Sequence, residues 1–68
     1  MSEQMSNLRR EYQDLLYSLT AVQTDCYDHF LRKQTTEGMA CANECYRLAM
    51  LLKNKSDEIT EQHRKDAD

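Results

Sequence analysis

Three cysteines and one histidine are the residues of this 68-residue chain whose types and spacing come nearest to chemistry. Cys26 and His29 are three apart, and Cys41 and Cys45 are four apart. On helices, each pair would share one face. If two helices brought the pairs to one height, the set would be Cys₃His, which holds structural zinc in a tetrahedron of thiolates and imidazole. Two observations weigh against that reading. The cysteines fall on apolar stripes, where a free thiol behaves as a small hydrophobe. Neither pair has the C-x-x-C spacing of zinc modules. Cys26, Cys41 and Cys45 are therefore read as core cysteines with no metal assigned. A small zinc-binding hairpin through Cys26, His29, Cys41 and Cys45 stands as the alternative. The odd count fits reduced thiols, since a Cys26–Cys45 disulfide would need an oxidising compartment.

Catalysis finds little else to work with. His29 and His63 are the only imidazoles, and Gly38 is the only glycine, which excludes a glycine-rich phosphate loop. Asp25 and Asp28 are three apart and read as a solvated helix face. No catalytic residue and no cofactor is assigned.

These residues sit on two heptad-like segments. Met5, Leu8, Tyr12, Leu15, Leu19, Val22 and Cys26 step alternately by three and four, the seam of a packed helix. Ser2 and Glu3 suit a helix start. Gln34-Thr35-Thr36-Glu37-Gly38 is the only punctuation, with Thr35 or Thr36 as a cap for the second helix. Beyond it, Cys41/Ala42, Cys45, Leu48/Ala49, Leu52 and Ile59 make a second stripe. From Lys53 onward Ile59 and Ala67 are the only apolar residues. The expected organisation is one all-α domain: helix over about 3–33, turn over about 34–37, helix over about 38–55, and a polar tail to 68, with Ser56 as a possible restart cap. A short loop between helices makes them antiparallel neighbours. Folding at residues 35–36 would set Cys26 against Cys45 and Leu19 near Leu52. The predicted seam is Leu15, Leu19, Val22, Cys26, Cys45, Leu48 and Leu52.

Apolar groups are left over. Tyr27, Phe30 and Leu31 cluster near the turn, and Tyr46 and Met50 lie on the returning helix. Aromatic residues and methionine are enriched at interface centres. Tyr27, Phe30, Leu31, Tyr46 and Met50 are therefore the expected protein-interaction residues. The partner would be another helical protein, or a second copy in a four-helix bundle.

Net charge is −3, and the basic pairs Arg9-Arg10, Arg32-Lys33 and Arg64-Lys65 are each diluted by acids. No concentrated basic face suits nucleic acid. No apolar run spans a membrane, and the N-terminal stretch has no secretory core. A cytoplasmic location is expected.

Ala21 to Leu52 resembles the small helical-hairpin co-chaperones of type III secretion needle subunits. The likeness lies in AVQTDCYDHFLRK running into the turn, followed by CYRLAMLL. The resemblance implies a non-catalytic subunit that pairs with a helical-repeat chaperone and keeps an aggregation-prone needle subunit soluble. The three-cysteine set and the polar C-terminal tail depart from that pattern. In topology alone, the chain also looks like plasmid-type RNA regulators, which form antiparallel four-helix dimers.

Overall fold

The computed structural model describes residues 3–67 and is an all-α helical hairpin. Helix α1 runs Glu3–Leu31 and helix α2 runs Thr35–Ala67. They lie side by side in a rod measuring 53 × 14 × 11 Å. Among the described residues, no helix is long and apolar enough to cross a membrane. The expected Ser2 cap lies outside the described residues.

The reversal is tighter and earlier than the sequence suggests. Lys33 N–H donates to the Phe30 carbonyl at 3.1 Å, and Gln34 N–H to the His29 carbonyl at 2.8 Å. These are the two bonds of a Schellman ending, and they satisfy carbonyls that the end of a helix would otherwise leave without donors. The residue that such an ending places in the left-handed region is Lys33, at φ 61°. Glycine is the usual occupant, because it carries no Cβ. The chain's one glycine is used elsewhere. Gly38 N–H donates to the Gln34 carbonyl at 2.9 Å, the first α-helical bond of α2. Gln34, rather than Thr35 or Thr36, therefore stands at the N-cap, and α2 begins three residues earlier than expected, with Gly38 in its first turns.

Gly38 is needed there for close approach. A Cβ built on it would meet the Phe30 ring at 2.7–2.9 Å. The missing side chain lets Phe30 lie across the first turn of α2, so Gly38 is buried. Beside it, the Cys26 thiol reaches the Gly38 carbonyl at 3.4 Å.

Moving the turn to 32–34 shifts the register. Equal steps back from Lys33 and forward from Gln34 set Cys26 opposite Cys41, Val22 opposite Cys45, Leu19 opposite Leu48 and Leu15 opposite Leu52. The expected pairing of Cys26 with Cys45 and Leu19 with Leu52 is thus displaced by one helical turn. Every residue of the predicted seam is half-buried or buried, with Leu48 the most covered at 6% exposure. Met5, toward the open end, is buried to 1%.

The segment after Leu52 is continuous helix instead of a separate tail. Ser56 does not restart it, because its hydroxyl donates back to the Leu52 carbonyl at 3.0 Å. The heptad simply continues, through Leu52, Lys55, Ile59 and Gln62, all half-buried. Lys55 occupies a seam position with its side chain only 18% exposed. Its Nζ donates to the Glu11 carboxylate of α1 at 2.5 Å and pairs with Glu58 at 2.7 Å. The two carboxylates raise the lysine's pKa above its ordinary value and keep it charged within the seam. The methylene stem covers apolar surface while the ammonium reaches the edge. A charged residue at such a position, held by a carboxylate of the facing helix, favours one register over its neighbours.

Candidate functional site

In an antiparallel pair of heptad helices, the residues beside the seam form two long flanks. On one flank stand Arg9, Leu16, Gln23 and Phe30 of α1, with Ala42, Ala49, Ser56 and His63 of α2. Ser6, Gln13, Thr20, Tyr27, Met39, Tyr46, Lys53 and Thr60 form its outer rows. Arg9, Tyr12, Ser56, Ile59 and Thr60 line one shallow groove there, so both helices contribute to this flank. None of these positions carries a carboxylate, in a chain with twelve acidic residues.

Its apolar content is exposed. Leu16 and Phe30 are each 41% accessible, and Tyr27, Met39 and Tyr46 more so. Ala42 and Ala49 keep the α2 side low between them. Thr20 and Thr24 turn their hydroxyls back on the helix, donating to the Leu16 and Thr20 carbonyls at 2.9 and 3.1 Å. That leaves the Thr20 methyl, and no free hydroxyl, to contribute to this flank.

The opposite flank is built differently. Glu11, Asp14, Asp25 and Asp28 of α1 and Glu37, Glu44, Glu58 and Glu61 of α2 lie along it. Bases are interleaved with them: Arg32 pairs with Asp28 at 3.4 Å, Arg47 with Glu44, Arg64 with Glu61 at 3.5 Å, and Lys55 bridges Glu11 and Glu58. The Arg47 hydrogen bonds lower the Glu44 pKa below the usual carboxylate range. Such exposed pairs contribute little to stability. They leave a surface that water solvates well.

The expected interaction residues divide between locations. Tyr27, Phe30 and Tyr46 come together on the carboxylate-free flank. Leu31 and Met50 are exposed on the outer backs of their helices and do not join it. The sequence reading missed Leu16 and Met39 as members of the patch, and missed Lys55 as the seam's polar register residue. The heptad frame, carried past Leu52, would have found Lys55. Met39 lies seven residues before Tyr46 on the same row of α2, and that spacing would have found it.

The thiols lie close together around the first turns of α2, all free and half-buried. Burial foremost, and then the proximity of Cys26, raises the pKa of Cys41 and of Cys45. Both stay protonated at neutral pH, when the thiolate is the nucleophile and the metal ligand. His29 is tied to the turn, with Nδ1 2.7 Å from the Gln34 amide oxygen. That oxygen can only accept, so the ring donates through Nδ1–H. Among the described residues, no three His, Cys, Asp or Glu side chains converge on a position for a metal ion.

Compared with known proteins, the chain matches no family model, no curated protein and no solved structure.

Proposed function

We propose that this protein is a non-catalytic helical adaptor that acts by packing its carboxylate-free flank against another helical surface. The observation that carries the reading is the segregation of charge. Eight carboxylates line one flank and none the other, where Leu16, Tyr27, Phe30, Met39 and Tyr46 are exposed. A solvated hairpin has no reason to sort its acids so strictly. A contiguous apolar strip on a small protein marks an interaction surface. The resemblance of Ala21–Leu52 to secretion co-chaperones supports one form of this role, in which the hairpin holds an aggregation-prone helical subunit in solution in the cytoplasm.

The test compares assemblies in source cells expressing the tagged wild-type chain or a Phe30→Ala/Tyr46→Ala variant at equal levels. The wild-type chain should migrate as an assembly larger than 8.1 kDa. The variant should shift toward the free chain while keeping its helical circular dichroism. A variant assembly of unchanged size, or a wild-type chain that migrates free, would overturn the adaptor reading.

A further inference from the structure

The carboxylate-free flank has a first occupant that its chemistry specifies. We infer that it is covered by the same flank of a second copy of this chain, running antiparallel, to give a four-helix bundle. The inference rests on the adaptor reading and adds the partner.

Area is the first argument. Among the described residues, the hairpin alone buries only Met5 and Leu48 of its apolar side chains, to 1% and 6% exposure. Two helices cannot enclose a core, and chains of this size are marginal as monomers. A flank 53 Å long and 14 Å wide between Cα extremes, broadened by its side chains, approaches the ~800 Å² per partner of a specific interface. A second hairpin covers that whole area. A single added helix, ~10 Å across, does not.

Charge sets the orientation. Face-to-face contact between two copies buries no carboxylate, since neither flank has one. The basic groups of the flank are Arg9 and Lys53, with His63 near the open end. A parallel arrangement would bring the two Arg9 side chains to the same level. An antiparallel arrangement, with its two-fold axis at the middle of the rod near Ala49, separates them. Full overlap then sets Arg9 at the level of the second copy's Tyr27, and Lys53 at the level of its Tyr46. Both tyrosines are more than 60% exposed in the single hairpin, so their ring faces are available to a cation. Lys53 also holds Asp57, at 2.7 Å, on the outer side of its helix.

Shape agrees. In the antiparallel arrangement α2 lies along the second copy's α2, so Ala49 meets Ala49 at the axis and Ala42 meets Ser56. Small side chains at these levels let two helix backbones approach closely. The charged flanks then face outward on both sides of the bundle and keep it soluble.

Sedimentation of the purified chain over a range of concentrations tests the inference. The wild type should have twice the chain mass. Ala49→Glu should weaken self-association at least 100-fold, while Ala21→Glu on the acidic flank leaves it unchanged. Ala49 is exposed in the hairpin, so an unfolded Ala49→Glu chain beside a folded Ala21→Glu chain also supports the dimer. Orientation is read from Met39→Glu, which should weaken the dimer about tenfold, and from Met39→Glu/Thr60→Lys, which should restore it to within about threefold. Those positions are 21 residues apart on α2 and can pair only between copies. A wild-type monomer at all concentrations, or an Ala49→Glu dimer of undiminished affinity, overturns the dimer. A double variant no tighter than Met39→Glu overturns the antiparallel orientation. A monomeric purified chain whose cellular assembly still depends on Phe30 and Tyr46 would overturn the self-association alone and leave the adaptor reading standing.

Discussion

The two flanks of this hairpin share one seam and the same helical spacing, yet they are opposite surfaces. One carries Glu11, Asp14, Asp25, Asp28, Glu37, Glu44, Glu58 and Glu61, paired in part with Arg32, Arg47, Lys55 and Arg64. The other has no carboxylate and displays Leu16, Tyr27, Phe30, Met39 and Tyr46. Exposed ion pairs contribute little to stability, so the acidic flank's role is solvation. Apolar groups held in water gain on being covered, by about 25 cal/mol per Å². The difference separates a surface that gains on being covered from one that is best left in water.

The comparison breaks most completely at the seam beneath both flanks. Leu48→Asp would bury a carboxylate with no partner at the most covered seam position of α2. The loss is expected to exceed about 4 kcal/mol, more than a small hairpin holds, and helical circular dichroism should disappear. Leu19→Asp, opposite it, should do the same. A helical Leu48→Asp chain would show that the seam does not hold the fold.

The flanks are separated by single truncations of two exposed neighbours. Tyr46→Ala should weaken association by about 1–2 kcal/mol, read as a shift in the concentration at which the assembly dissociates. Arg47→Ala, its neighbour on the acidic side, should leave that concentration unchanged. Equal effects would erase the distinction between the flanks.

Phe30 and Gly38 sharpen it at the turn end. Alanine is favoured over glycine within a helix by about 1 kcal/mol, but the added Cβ collides with the Phe30 ring. Gly38→Ala should therefore be near neutral in the wild type and stabilising by about 0.5–1 kcal/mol in a Phe30→Ala background. Urea denaturation of the four chains in this double-mutant cycle measures the coupling. Simple additivity would mean that Phe30 does not rest on Gly38.

Lys55 marks the boundary where the acidic flank enters the seam. Its folded-state pKa is raised, chiefly by its hydrogen bonds to Glu11 and Glu58. Its contribution is thus complete at neutral pH and is lost as pH rises through the raised value. Lys55→Met keeps the apolar stem and removes the charge. The stability difference between the two chains should be about 0.5–1 kcal/mol at pH 7 and should vanish in strong alkali. A difference independent of pH would show that the ammonium adds nothing to the seam. An effect of similar size is expected at Lys33, where φ is 61°. Lys33→Gly should stabilise the hairpin by about 0.5–1 kcal/mol by removing the left-handed strain, measured by thermal unfolding.

Much of this was legible in the residues. Met5, Leu8, Tyr12, Leu15, Leu19, Val22 and Cys26 step by three and four without a break, and every one of them is buried or half-buried. The leftover aromatic residues were visible because they fit no seam position. What misled was the stretch from Gln34 to Gly38. It looked like punctuation, and folding at residues 35–36 instead of at Lys33 moves the register by one helical turn. Lys53 onward looked like a tail because its apolar residues are sparse, although the heptad phase was intact.

The sequence by itself determined the helices, the seam of α1 and the sorting of acids, because these follow from helical periodicity acting on residue type within a few turns. Only the tertiary structure decided the turn at Lys33, the place of Gly38 beneath Phe30, the burial of Lys55 between Glu11 and Glu58, and the division of Tyr27, Phe30 and Tyr46 from Leu31 and Met50. Each of those depends on where one helix lies against the other. A shift of a few residues at the turn costs little in local energy and changes every contact across the seam.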